Sequence, residues 1–319
     1  MNSLKIRHFL SFLLLWSIVF FTGCEESGIS GEVQMKITDA PSDDASIEGV
    51  FITVAEVKID GESYEGFQGK QTIDIMAYQN GNTKVLGLTE LEAKSYNRIT
   101  LVLDTETDAD GNAPGCYVMT IDGEKKNLAA SAQSSLELST QAAFDVVGEA
   151  RSSVVLDFDL RKAIRYEENS DDAFEFVAQS DLNASIRGVD ESLSGSIEGQ
   201  FDVSTFNNPD KVVVYAYQKG SFNKETETQA NGDIQFKNAI TSTAAVKSGA
   251  SYTYDLSFLA EGEYEICLVA FEENNNDGKL SFSGFLQGSL FASGSVTTEV
   301  SVNAGVAASL DFLITGIIN

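Results

Sequence analysis

The run Val50-Phe51-Ile52-Thr53-Val54-Ala55-Glu56-Val57-Lys58-Ile59 is rich in β-branched residues and becomes alternating apolar and polar at its end. Such a run predicts a β-strand, because branched side chains fit the pleated, half-buried surface of a sheet. Short apolar runs of the same kind recur along the chain and are bounded by Gly, Asn, Asp and Ser. We therefore expect a mainly β protein.

The expected strands form two series. The first comprises Val33–Ile37, Val50–Ile59, Ile99–Leu103, Tyr117–Ile121, Phe144–Val147 and Val154–Asp159, with Asp122-Gly123 as a hairpin turn. The second comprises Ser196–Val203, Val212–Tyr217, Asp233–Phe236, Tyr252–Phe258, Tyr264–Ala270, Leu280–Phe285, Thr297–Val302 and Ala307–Ile314. Strands at such spacing favour β-sandwiches. Short helices are predicted at Val85–Leu91 and Asp159–Tyr166.

The two series imply two domains. Residues 188–195 form a polar, small-residue stretch typical of a linker. We predict two β-sandwich-like domains of ordinary size, at residues 31–187 and 196–319.

Composition excludes several functions. The 319 residues include 21 Lys and Arg against 48 Asp and Glu, which gives a formal charge of −27. Nucleic-acid binders need a basic surface, so we expect no nucleic-acid partner. The single histidine is His8, in a segment that we expect to be removed. After that removal the protein would contain no imidazole group for acid–base catalysis or metal binding.

The N-terminus has the form of a signal peptide. Lys5 and Arg7 precede an apolar run, Phe9–Phe21, which is too short to span a membrane permanently. The end of this segment, Phe21-Thr22-Gly23-Cys24, resembles the lipobox of bacterial lipoproteins, with Phe21 in place of the usual Leu. The resemblance implies cleavage of residues 1–23, lipidation of Cys24 and a tether at residues 24–30. The alternative is a soluble secreted protein.

Several acyl chains on Cys24 would anchor the protein stably. Glu25-Glu26 resembles the acidic export tag of lipoproteins displayed on the surface of Bacteroidetes-type bacteria. We therefore expect an outer-membrane lipoprotein exposed at the cell surface, with a periplasm-facing location as the alternative. Removal of Lys5 and Arg7 with the signal leaves 19 basic and 48 acidic residues, a formal charge of −29.

Two resemblances concern the exported part. Lys36-Ile37-Thr38-Asp39-Ala40-Pro41, Tyr96–Leu101 and Leu156–Ile164 resemble a domain of unknown function that recurs in bacterial lipoproteins and carries a Thr-Asp-Ala-Pro motif. One departure is Asn127–Leu138, where a Pro-Ser-Gly-like turn would be expected. Residues 193–319 resemble prealbumin-like or immunoglobulin-like sandwiches through Glu261-Gly262-Glu263-Tyr264 and the closing segment Val300–Phe312. These resemblances imply a fold and no activity.

Acidic loops are the candidate metal sites. Glu273, Asn275 and Asp277 place oxygen side chains at alternate positions before a glycine, and Glu106, Asp108 and Asp110 repeat the pattern. Calcium prefers such hard oxygen ligands, but the carboxylate expected at position twelve of an EF-hand is absent from both loops. The sequence thus leaves two interpretations open, a calcium site or an ordinary turn.

Other polar groups have structural interpretations. Asp39 is expected to make a side-chain turn, with Asp43 and Asp44 capping the next segment, although a ligand role is open. Asp157 and Asp159 share one strand face, and ion pairs with Arg161 or Lys162 are expected in place of catalysis.

The remaining candidates are apolar in character. Tyr215 and Tyr217 are expected to pack in a core, with a sugar platform as the alternative. Cys116 and Cys267 are expected to stay unpaired.

We therefore expect a non-catalytic binding or structural module, held to the membrane by lipid, whose partners are glycans or envelope proteins. A calcium-stabilised spacer is the first alternative. A polysaccharide-active enzyme that uses carboxylates alone is the second.

Overall fold

The computed structural model describes residues 28–40, 47–129, 135–166, 174–203, 209–229, 235–249, 251–273, 280–292, 295–297 and 299–318. The chain is mainly β, as the sequence predicts. The strands are β1 Ser30–Ala40, β2 Ile47–Ile59, β3 Glu62–Ser63, β4 Gln71–Asp74, β5 Lys84–Glu92, β6 Ser95–Asp104, β7 Tyr117–Thr120, β8 Lys125–Ala129, β9 Ser135–Asp145, β10 Arg151–Asp159, β11 Ile164–Tyr166, β12 Phe174–Phe176, β13 Ile186–Asp190, β14 Ser194–Asp202, β15 Lys211–Gln218, β16 Thr241–Ala244, β17 Val246–Ser248, β18 Ser251–Ala260, β19 Gly262–Glu273, β20 Leu280–Ala292, β21 Ser295–Thr297, β22 Val300–Val302 and β23 Ala307–Ile318.

Helices are short. They are α1 Leu160–Ala163, α2 Gln179–Ala184 and α3 Lys224–Thr228, with 3-10 turns at Ile75–Ala77 and Glu191–Leu193. Among the described residues, no helix combines the length and the apolar character that a membrane crossing needs.

The first unit, β1–β13, contains two sheets. One has the order β13-β10-β1-β5, with β1 and β10 parallel, and the other has the order β11-β12-β8-β7-β2-β6-β9 with β3 and β4 beside β2. A single apolar core draws on both sheets, for example through Met35 and Ile37 of β1 and Ile52 and Val54 of β2. The core therefore lies between the two sheets.

The second unit, β14–β23, is built on a sheet of order β16-β15-β19-β20-β23-β14-β18-β17. Alternate residues of β15 enter two different cores. Val212, Val214 and Ala216 pack in one core, while Val213, Tyr215 and Tyr217 pack in the other. Both tyrosines are fully buried, which confirms the core interpretation, and Tyr215 stacks on Phe236 with 4.5 Å between ring centroids.

Some local predictions are wrong. Val85–Leu91 lies in strand β5, because this segment pairs along β1, and its Val85 and Leu88 side chains are exposed. The apolar spacing that suggested a helix is therefore not a buried face. Asp159–Tyr166 is helical only over α1 and then continues as β11.

Two other segments differ from the predictions. Gln235 and Phe236, placed in a strand by the sequence, lie in a turn. Residues 188–195, assigned to a linker, contain the end of β13, the 3-10 turn and the start of β14.

Candidate functional site

Three buried carboxylates lie where the first unit meets the second. Asp157 and Asp159 are at the end of β10, and Asp39 is at the end of the parallel neighbour β1. Asp157 is in register with Thr38 and Asp159 with Ala40, so the three aspartates occupy adjacent rows at the carboxyl ends of these two parallel strands. Each of the three residues is 5% exposed. We call this group, with the cations that pair with it, the junction cluster.

Each acid on β10 has a cationic partner. The helix α1 follows β10 at once and brings Arg161 Nη2 to 2.7 Å and Lys162 Nζ to 3.2 Å from Asp159 Oδ2. These are the partners that the sequence predicts. Asp157 Oδ2 instead accepts from Arg187 Nη2 at 2.6 Å and Nε at 2.9 Å, because β13 runs antiparallel to β10 with Arg187 opposite Asp157.

The same cations reach the second unit. Lys162 Nζ donates to the Ala239 carbonyl at 2.7 Å, and Arg187 Nη1 donates to the Phe258 carbonyl at 2.7 Å. Arg161 lies with its guanidinium carbon 5.0 Å from the centroid of the Tyr215 ring. Such charge-assisted hydrogen bonds are stronger than neutral ones, so the junction cluster links the two units.

Hydroxyl groups of β16 complete the junction. Thr241 Oγ1 donates to Asp157 Oδ2 at 3.3 Å, and Thr243 Oγ1 donates to Asn80 Oδ1 at 2.5 Å. Strand β16 therefore contacts both the buried acids and the 79–82 loop of the first unit.

The environment shifts the pKa values of Asp159 and Asp39 in opposite directions. Burial raises the pKa of Asp159, but the charges of Arg161 and Lys162 outweigh burial and hold that pKa below its usual range. For Asp39, burial raises the pKa well above its usual range, and nearby Asp159 and Asp157 raise it further, whereas hydrogen bonding from the Gln79 side chain and the Leu160 backbone acts in the opposite direction. The Oδ1 atoms of all three acids are buried without a hydrogen-bond partner among the described residues.

This arrangement opposes catalysis by Asp157 and Asp159. Both carboxylates are shielded from solvent, and each is held by a positively charged side chain. The predicted ion pairs with Arg161 and Lys162 are thus confirmed for Asp159, whereas Asp157 pairs with Arg187, a partner that the sequence does not predict. Asp39 lies buried and accepts a hydrogen bond from Gln79 Nε2 at 3.0 Å, a role that the turn prediction did not include. Asp43 and Asp44 lie outside the described residues.

Residues of both units also line a shallow, open cleft of about 500 Å³, which we call the interdomain groove. Its lining is mainly polar, with Phe258, Val306 and Ala307 as the apolar side chains, and it comes from both units. The lining residues are Asn80, Gly81, Asn82, Glu191, Ser194, Gly195, Ser196, Asp255, Ser257, Phe258, Gly305, Val306 and Ala307. None of them is predicted as a site residue from the sequence.

The predicted calcium loops are only partly described. Asn275 and Asp277 lie outside the described residues, whereas Glu273 is at the end of β19. Asp108 Oδ1 accepts from the backbone N–H groups of Asp110 at 3.0 Å and Asn112 at 2.8 Å, and these bonds hold the pKa of Asp108 below its usual range. No group of three metal-ligating side chains occurs within the described ranges. Calcium stays a prediction.

The cysteines agree with expectation where they are described. Cys116 and Cys267 are unpaired thiols, and burial raises the pKa of both, to about 12 for Cys116. Cys24, the predicted lipidation site, lies outside the described residues.

Comparison with known families gives a match for part of the chain. Residues 30–175 match the family described as a domain of unknown function, DUF4382. The match falls within the first unit and confirms the sequence-based expectation of a domain of unknown function there. None of the curated proteins matches the chain.

Among solved structures, the chain is similar to the TIE protein of Bacillus anthracis, with 8% identity, a TM-score of 0.19 and 90% of this chain covered. The chain spans only 35% of that protein. A minor pilin of Streptococcus agalactiae has 15% identity, a TM-score of 0.19 and coverage of 90% of this chain and 98% of the pilin. The major pilin subunit of Bacillus cereus has 8% identity, a TM-score of 0.22 and coverage of 91% and 70%. At these TM-scores the roles of those proteins carry no argument for this chain.

Proposed function

We propose that the chain is a lipid-anchored protein of the cell envelope, in which two β units act together as one non-catalytic binding or structural module. Cys24 supplies the anchor, and residues 24–30 are the tether. We assign the two working domains to residues 31–187 and 196–319. Partners are glycans or other envelope proteins at the cell surface.

One observation carries this proposal. Lys162 and Arg187 each pair with an acid of the first unit while donating to a backbone carbonyl of the second. Charged side chains that pair with buried acids are therefore also used to hold the two β units together. A pair of units fixed in this way suits a protein that presents a surface to a partner, because the relative position of the two parts is maintained without a ligand.

Anchoring is tested by metabolic labelling with an alkyne analogue of palmitate in a bacterium that carries the full chain. The label is expected on the wild-type protein and is expected to disappear in Cys24→Ser, which should leave the membrane fraction. Cys116→Ser is the matched control and should keep the label. A labelled Cys24→Ser variant would contradict the anchor.

Binding and location are tested separately. Protease added to intact cells should degrade the protein if it faces outward, whereas protection until the outer membrane is permeabilised would indicate the periplasm-facing alternative. The full chain, purified in detergent, is then screened against glycans and against envelope protein extracts. A reproducible partner in either screen supports a binding module, and failure in both would leave the structural role.

A further inference from the structure

Strands β14 and β18, which contribute to the lining of the interdomain groove, contain an irregularity in their pairing. Strands β14 and β18 are antiparallel, with Ile197 opposite Leu256 and Gly195 opposite Leu259. Ser257 and Phe258 together therefore face the single residue Ser196, which is a β-bulge. Bulges of this kind re-aim a side chain, and they are common beside binding and active sites.

The bulge contains an unusual residue. Phe258 has φ of +57°, in the left-handed region, where glycine is the ordinary occupant of a bulge. A bulky side chain in this conformation is an outlier that costs free energy. The conformation is held from the first unit, since Arg187 Nη1 donates to the Phe258 carbonyl.

Core packing does not account for the phenylalanine. Phe258 is half-buried, and among the described residues it lies outside the three apolar clusters. Its neighbours Leu256 and Leu259 belong to the core of the second unit. The strained position thus places an aromatic residue in the lining of a polar groove, where glycine would have relieved the strain.

Polar groups flank this aromatic residue. Ser257 Oγ donates to Asp255 Oδ1 at 2.5 Å, which orients the carboxylate. Opposite, the 80–82 loop approaches so closely that a Cβ on Gly81 would lie 2.7 Å from Ser257 Oγ and 3.9 Å from Asp255 Oδ2. Thr243 holds this loop through Asn80. The groove therefore combines an aromatic residue, an oriented carboxylate and amide side chains.

We propose that the interdomain groove binds a neutral saccharide. The ring of Phe258 provides a surface for the apolar face of a pyranose, and Asp255 accepts hydrogen bonds from sugar hydroxyls. This inference deepens the proposed binding function and rests on it. The volume of about 500 Å³ lies within the range of roughly 300 to 1,000 Å³ that small-molecule sites occupy. Asp255, in a strongly acidic chain, repels sulfated and uronic sugars.

The test uses the full chain in detergent on an array of neutral, sulfated and uronic glycans, followed by calorimetric titration of the neutral glycans that bind. Phe258→Gly removes the ring and relieves the left-handed strain, so its melting temperature is expected to equal or exceed that of the wild type. Its affinity for the neutral glycan is expected to fall at least tenfold. Asp255→Ala is expected to weaken binding in the same way.

Glu149→Gly is the matched control. Glu149 is exposed, has φ of +60° and precedes β10 at the end opposite the junction cluster. This variant should gain the same backbone relief and keep full affinity. Wild-type affinity in Phe258→Gly would overturn the groove as the site while leaving a glycan-binding function intact. Preference for sulfated glycans, or no glycan bound by the wild type, would overturn the proposal that the ligand is a neutral saccharide. A protein partner found for the wild type would still support the broader binding function.

Discussion

The substitution Asp39→Asn is expected to stabilise the protein at neutral pH. Asp39 is buried at the end of β1, its Oδ2 accepts from Gln79, and its Oδ1 has no partner among the described residues. Asparagine keeps an oxygen for Gln79 and replaces the unpartnered oxygen by an N–H donor. That donor would lie in the neighbourhood of two carboxylates, Asp157 and Asp159, which already act on Asp39 electrostatically.

The sign of the pH dependence of stability follows from proton linkage. Burial raises the pKa of Asp39 in the folded protein well above the value of about 3.9 expected for an unfolded chain. Between these two values the folded state retains a proton that the unfolded state has lost, so the free energy of unfolding falls as pH rises. The stabilising effect of protonation is complete below about pH 4 and is lost as pH rises through the folded pKa. Asparagine does not titrate and removes this loss.

The magnitude of the expected stabilisation follows from the Oδ1 atom of Asp39, which has no hydrogen-bond partner among the described residues. A buried polar group without a hydrogen bond costs about 1–3 kcal/mol. We therefore expect Asp39→Asn to raise the free energy of unfolding by that amount at pH 8. For a unit of this size, 1 kcal/mol corresponds to a melting temperature change of roughly 2–4 °C.

Calorimetry on wild type and variant from pH 4 to pH 9 tests the reasoning. The difference in melting temperature should grow with pH and be smallest near pH 4. Asp122→Asn, at an exposed turn position, is the control and should show no such trend. A difference independent of pH, or a less stable Asp39→Asn at pH 8, would refute the assignment of a raised pKa to this carboxyl.

Three further predictions concern other parts of the molecule. In denaturant titrations, Arg161→Ala should lower the free energy of unfolding by about 3 kcal/mol, because it leaves Asp159 buried with Lys162 as its remaining cation. Arg165→Ala, which removes an exposed ion pair with Glu175, is the control and should lower the free energy of unfolding by under about 1 kcal/mol. The Cys116 thiol, whose pKa burial raises to about 12, should react with Ellman's reagent at pH 8 only as the protein unfolds, and rapid reaction of the native protein would contradict its burial. The calcium prediction expects a higher melting temperature in millimolar calcium that Asp277→Ala abolishes, and an unchanged temperature would remove it.

Much of the fold is readable from local sequence. Runs such as Val50–Ile59 and Val212–Tyr217 lie within observed strands because β-branched and aromatic residues dominate them. Strand β9 could have been found along its whole length. Its residues Leu136, Leu138, Thr140, Ala142 and Phe144 alternate strictly and are all buried, yet only its last residues were predicted. This alternation of buried and exposed residues, with a period of two, is the pattern that predicts a β-strand.

The junction cluster could be predicted only in part. Arg161 and Lys162 are near Asp159 in sequence, and a single helical turn brings them together. Arg187 lies 30 residues from Asp157, and their pairing depends on the register of β13 against β10, which no local pattern specifies. The carbonyls of Ala239 and Phe258 carry no side-chain signature at all. Contacts of this kind follow from tertiary structure and not from residue type.

The junction cluster also bears on what the outer surface can attract. If the signal is removed, 19 basic residues remain, and Arg161, Lys162 and Arg187 among them are directed to buried acids and carbonyls at the junction. The same cluster contains three acids, Asp39, Asp157 and Asp159, so the residues outside it keep the whole formal charge of −29. A surface of this kind attracts neutral or basic partners and repels anionic polymers, and salt weakens both effects. Binding of a neutral glycan should accordingly change little between low and physiological salt, whereas a basic protein partner should bind more weakly as salt rises, so the salt dependence of any partner distinguishes the interdomain groove from the acidic surface around it.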